Sequence, residues 1–144
     1  HSPWIPHRTW PARPFALLED LHAKLMQTVH AAPEPERLSL LRAHPDLVGR
    51  LAREGSLTPA STAEQQAAGL TAITPGEAAA FDRYNAAYRQ KFGFPFIICA
   101  RESKKTAILA AFPLRLAHDR NTEIAAALDE IAKIALLRLR DTVC

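Results

Sequence analysis

Residues 121–140 read NTEIAAALDEIAKIALLRLR. Ile124, Leu128, Ile131 and Ala135 recur at intervals of 4, 3 and 4, which draws one apolar stripe along an α-helix. Asn121 is expected to cap that helix, which runs to about Arg140. The same periodicity extends upstream. Phe15, Leu18, Leu21, His22, Leu25 and Val29 predict a helix to about Ala32, and Leu38, Leu41 and Arg42 a short one after Pro33 and Pro35 that ends before Pro45. Residues 47–53 predict one or two helical turns, and Gly55 and Pro59 mark a loop. Ser61-Thr62-Ala63-Glu64 reads as a capping box opening a helix through Gly69. Thr74-Pro75-Gly76-Glu77 is a second box, with proline at the first helical position, opening a helix to about Lys91. Ser103 opens another to about Leu116. Two stretches depart from this pattern. FGFPFIICA at 92–100, apolar on both sides of Pro95, predicts a buried extended segment, and Pro3, Pro6, Pro11 and Pro14 predict an extended, kinked start. The fold class is all-α: a compact single-domain bundle of about six or seven helices.

Composition sets the bounds. The 144 residues suit one domain, and 48% hydrophobic with 23% charged residues excludes a disordered or collagen-like chain. A chain this long buries roughly two-thirds of its unfolded surface and needs no disulfide or metal to fold. The net charge is +3 and the pI near 9.1, but the arginines are scattered and Lys104-Lys105 is the one adjacent basic pair. Nucleic-acid binding is permitted by this balance and not required by it. Cys99 and Cys144 have no metal-ligand spacing, so a reducing, cytoplasmic setting is expected. No apolar run approaches 18 residues, so no membrane span is expected. The chain opens His1-Ser2-Pro3-Trp4 without an initiator Met, and further N-terminal sequence is expected before it.

Three residues invite chemistry. Arg138 lies on the apolar stripe of the last helix, three residues past Ala135. Either it snorkels from the helix end, or it projects a planar, permanently charged fork into a pocket to hold an anion. His44 stands in His44-Pro45-Asp46-Leu47, where the proline turns the backbone and presents the imidazole from a bend. A structural histidine is the competing reading. Glu64-Gln65 sits near a helix start, where Glu64 is explained by the capping box, or the N–H groups of Ser61 through Gln65 serve a ligand. The remaining histidines (His1, His7, His22, His30, His118) have no i, i+4 pairing, and no metal site is expected. A glycine-rich phosphate loop, a nucleophile elbow and a Cys beside a His are all absent from the sequence.

Together these segments resemble one family, 2-oxo-4-hydroxy-4-carboxy-5-ureidoimidazoline (OHCU) decarboxylase, of urate degradation. The matching residues are SPWI at 2–5, RPF at 13–15, RAHPDLVGRLA at 42–52, S-x-x-EQ-x-x-AGL at 61–70, N-x-x-Y-x-x-KFGFPFIICA at 85–100 and KIALLRL at 133–139. The resemblance implies an all-helical homodimer acting on a small molecule, without nucleic acid or membrane. It implies catalytic roles for His44, Glu64 and Arg138, and substrate binding by Pro45, Ser61, Thr62, Ala63, Glu64, Gln65, Phe96, Ile97, Ile98, Cys99 and Ala100. It implies no cofactor, because the substrate carboxylate stands β to an imine that accepts the electrons when CO2 leaves. Two lesser departures stand beside the resemblance: a helix that relatives carry before SPWI is expected to be lacking from this sequence, and the ending Asp141-Thr142-Val143-Cys144 does not read as a peroxisomal Ser-Lys-Leu signal. The alternative is a small helical DNA-binding or ligand-binding regulator of purine use.

Overall fold

The computed structural model describes residues 2–143, with the backbone alone of Arg50 and Leu51; His1 and the second cysteine, Cys144, lie outside the described residues. The chain runs α1 (Trp4–Thr9), a 3-10 turn (Trp10–Ala12), α2 (Leu18–Ala31), α3 (Glu34–Arg42), α4 (Arg50–Arg53) and α5 (Pro59–Ala67). It continues through α6 (Pro75–Phe92), a second 3-10 turn (Ala100–Glu102), α7 (Lys105–Leu116) and α8 (Arg120–Val143). No strand occurs among the described residues. Seven described helices have six residues or more, and α4 adds a single four-residue turn.

The apolar stripe of α8 faces inward, with Ile124, Leu128 and Ile131 buried, and the helix packs on α2. The core beneath is aromatic. Phe81, Tyr88, Phe94, Phe96 and Phe112 are essentially inaccessible, and the Phe96 and Phe112 rings stack with centroids 3.9 Å apart. Where FGFPFIICA at 92–100 predicts a buried extended segment, residues 94–99 are irregular and largely buried, while Phe92 is the last residue of α6 and Ala100 opens the second 3-10 turn. Gly93 ends α6 at φ +78, a left-handed cap that a side chain would strain.

Helix starts are where the sequence reading needs correction. The opening prolines do not prevent helix: α1 accommodates Pro6 at its third position, where an N–H has no intrahelical partner anyway. Thr9 Oγ1 then donates to Ile5 O at 2.9 Å and meets Thr28 Oγ1 at 2.9 Å, tying α1 to α2. The cap of α5 is Thr58, not Ser61. Pro59, expected in a loop, takes the first helical position, and Ser61 N–H donates to Thr58 Oγ1 at 3.2 Å. At α8 the capping side chain is Asp119 rather than Asn121, accepting from Thr122 N at 2.8 Å. Helix α7 begins at Lys105, two residues past Ser103. The Thr74–Glu77 box forms as read, with bonds of 2.8 and 3.2 Å.

Candidate active site

Four stretches far apart in sequence meet at one cleft. The bend after α3 brings His44, Pro45 and Leu47; α5 brings Ser61, Glu64 and Gln65; the irregular segment brings Phe96, Ile97 and Ile98, with Ala100 from the 3-10 turn that follows it; and α8 adds Ile134 and Arg138. The cleft holds about 400 Å³ of space, counting its open mouth. A wider groove adjoins it, sharing His44, Pro45, Ser61, Ile134 and Arg138. Thr62 and Ala63 fall on the exposed face of α5, away from the cleft, and the buried Cys99 side chain is not part of its lining.

Because Thr58 caps α5, Glu64 is released from the capping role and sits inside the helix. Its carboxylate is mostly buried and accepts two bonds from Arg138, Nε to Oε1 at 2.7 Å and Nη2 to Oε2 at 2.8 Å. Such a fork-to-fork pair fixes the guanidinium plane. It leaves Nη1 free to donate from a residue that lines both cleft and groove, and each Glu64 oxygen keeps a further lone pair. The hydrogen bonds to Glu64 hold the Arg138 pKa above its ordinary range. Thr62 N–H is consumed by Thr58 O at 2.9 Å, so the start of α5 is not an open anion site at that position.

His44 Nδ1 lies 2.9 Å from Leu40 O. A carbonyl only accepts, so Nδ1 carries the hydrogen and Nε2 is the basic nitrogen. Burial lowers the His44 pKa, the Arg138 charge lowers it further, and the Leu40 bond and Glu64 act the other way. The ring is therefore neutral near pH 7, the form that accepts a proton.

The turn following His44 is tight. Val48 has φ +53, a left-handed conformation unusual for a β-branched residue. A Cβ at Gly49 would lie 2.7 Å from Asp46 Cβ, so only glycine fits there. Val48 N–H donates to Gln65 Oε1 at 3.1 Å, which orients the amide and leaves its NH2 as a donor. On the opposite wall, Ile97 O accepts from Arg115 Nη1, and Cys99 N–H donates to Glu130 Oε2 at 2.7 Å. Among the described residues no protein group bonds the Ile98 N–H or C=O, a donor and an acceptor in the cleft lining.

The family model described as OHCU decarboxylase matches residues 1–140. The chain belongs to the OHCU decarboxylase family. The OHCU decarboxylase of Amia calva is 40% identical over 98% of this chain and 81% of its own. That of Haloferax volcanii is 40% identical over 98% and 82%. A solved OHCU decarboxylase, crystallised in the presence of (S)-allantoin, superposes with a TM-score of 0.79 at 22% identity, covering 98% of this chain and 91% of that one, and shares the fold. What motif reading missed in this OHCU decarboxylase family member is the support behind the cleft. Asn85, Tyr88, Arg115 and Glu123 are buried polar side chains. Asn85 and Tyr88 stand in the N-x-x-Y motif without any role read from it, and for Arg115 and Glu123 the signal was a charged side chain on an apolar helix face.

Proposed function

We propose that this chain is a carboxy-lyase that decarboxylates OHCU to (S)-allantoin, with His44, Glu64 and Arg138 as the acting side chains. The observation that carries the assignment is the meeting of these three residues in one cleft. The substrate carboxylate on C4 stands next to the C5=N imine. Loss of CO2 sends the C–C bonding pair into C4=C5 and the imine pair onto the ring nitrogen, which takes a proton. His44 Nε2 accepts the C4 hydroxyl proton as the enol becomes the ketone, and the imidazolium delivers a proton to C5 from one face. Arg138 Nη1 binds a substrate oxygen, and Glu64 holds Arg138 in plane while accepting from a ureido or ring N–H. Gln65 and the Ile98 peptide complete the polar contacts, with Pro45, Ser61, Phe96, Ile97 and Ala100 as walls.

His44→Asn is expected to lower the rate about 10²–10⁴-fold, the range for a general acid–base. The readout is circular dichroism of (S)-allantoin formed when protein is added to freshly oxidised urate. Rates within a few-fold of the parent, with product binding intact, would remove His44 from the chemistry.

The regulator alternative has little to rest on. Described basic side chains such as Arg8, Arg53, Arg101 and Arg120 are paired with carboxylates rather than gathered in a patch. Among the described residues no helix is long and apolar enough to cross a membrane, and no three His, Cys, Asp or Glu side chains cluster as a metal would need. A single domain in a cytoplasmic setting is proposed from chain length and cysteine usage and a homodimer from the family resemblance, and sedimentation equilibrium measures its oligomeric state.

A further inference from the structure

Two of the cleft's walls come from irregular stretches, residues 44–49 and 93–99, so no helical ladder holds them. Each is instead gripped from behind, and the grips start from one helix. Asn85 and Tyr88 lie three residues apart on α6, one turn of the same face, and both are buried.

Asn85 Nδ2 donates to Leu47 O at 2.9 Å, and Gln65 Oε1 accepts from Val48 N–H at 3.1 Å. These are the two polar groups of a single peptide unit, so two amide side chains clamp it on both edges. The next residue, Val48, is the one with φ +53, a conformation that persists only where its surroundings enforce it. Tyr88 Oη donates to Glu123, which is wholly inaccessible; Glu123 also accepts from Arg115 Nε at 2.7 Å and contacts His118 Nδ1 at 2.9 Å. Arg115 in turn donates to Ile97 O and lies over the Phe96 ring, 4.5 Å from its centroid.

We propose that Asn85 and Tyr88 are positioning residues, a polar strut on α6 that sets the His44 bend and the Phe96–Ile98 wall relative to each other. The inference rests on the decarboxylase reading of the cleft. Asn85 Oδ1 has no partner among the described protein groups, so the amide is held by its NH2 end alone. Its NH2 end has one use, the Leu47 carbonyl that fixes the turn after His44.

The test is steady-state kinetics of Asn85→Leu, Asn85→Asp and Tyr88→Phe, below their melting temperatures. Asn85→Leu removes the donor, and Asn85→Asp removes it in the ionised form, so each, the aspartate assayed at alkaline pH, is expected to lose about 10–100-fold in kcat, the scale for a small misplacement of an acid–base group. Tyr88→Phe keeps the ring and acts on the substrate-contacting wall, so KM is expected to rise about 3–10-fold with kcat nearly unchanged. Val29→Ala, in a buried position on α2 outside both clefts, is the control: its melting temperature falls and both constants stay. The imidazole 15N resonances of His44 give a readout independent of turnover, and they are expected to shift or broaden in the Asn85 variants. If the parent protein fails to accelerate decarboxylation, the decarboxylase reading falls while the resonances still judge the strut. Unchanged His44 resonances, or Asn85 variants that lose only melting temperature as Val29→Ala does, would overturn it.

Discussion

Replacing Glu64 by Gln separates a charge-dependent role from a merely helical one. In the parent, Arg138 makes two charge-assisted bonds to Glu64, of 2.7 and 2.8 Å. Each such bond contributes about 1.5–3 kcal/mol, against about 0.5–1.5 for a neutral one. Glutamine keeps one acceptor and turns an NH2 toward the second guanidinium nitrogen, so one bond weakens and the other is lost. The Arg138 side chain is 41% exposed, and solvent screening reduces the difference. A loss of about 1–3 kcal/mol in transition-state organisation remains, which is roughly a 5–150-fold fall in kcat/KM at about 1.4 kcal/mol per tenfold. Folding should suffer little, about 1 kcal/mol or less, because a partly exposed ion pair contributes modestly and the cap of α5 is Thr58. The assay is the dichroism of (S)-allantoin formed from freshly oxidised urate, run beside a urea titration of each protein. A variant that keeps its parent's kcat/KM within two-fold would refute the argument that the Glu64 charge organises Arg138.

Further outcomes follow from the same geometry. The His44 pKa lies below its ordinary 6.5, so kcat/KM is expected to hold at neutral pH and fall on the acid side below about 6.5 as the base is protonated. Glu64 raises that pKa and Arg138 lowers it, so Glu64→Gln should move the acid limb to lower pH and Arg138→Gln to higher pH; shifts of the same sign would contradict the assignment. The depressed value also links to folding. The His44 contribution to stability is full above pH 6.5 and is lost as pH falls through the folded-state pKa, an acid-side loss that His44→Asn should reduce in urea titrations. Thr74→Ala removes the cap of α6 and should cost about 1 kcal/mol in the same titrations, with kcat unchanged.

How much of this was legible in the sequence depends on the range of the interaction. The α8 stripe and the Thr74–Glu77 box are local patterns, and both appear as read. The extended segment was legible because Pro95 interrupts an apolar run too short and too β-branched for a helix. The Ser61 box was misread because two overlapping caps compete, and Thr58-Pro59 wins: proline at the first helical position has the helical φ built in. Pro6 and Pro11 misled for a related reason, since a proline in a first turn breaks no hydrogen bond, whereas around Pro14 the chain is extended as expected. At the site, the family motifs named His44, Glu64 and Arg138, but not that Glu64 and Arg138 bind each other across 74 positions of sequence. The contacts of Asn85 with Leu47 and of Tyr88 with Glu123 span 38 and 35 positions, beyond any local pattern.

The central claim is that His44, Glu64 and Arg138 act on one small molecule in one cleft. A crystal structure of the protein with (S)-allantoin bound tests it most directly. The expected result is a single ligand in the cleft, within hydrogen-bond reach of His44 Nε2, Arg138 Nη1 and a Glu64 oxygen, with Ile98 backbone groups against its polar edge. An allantoin bound elsewhere, or bound there with His44 beyond reach of its ring carbons and oxygen, would contradict it.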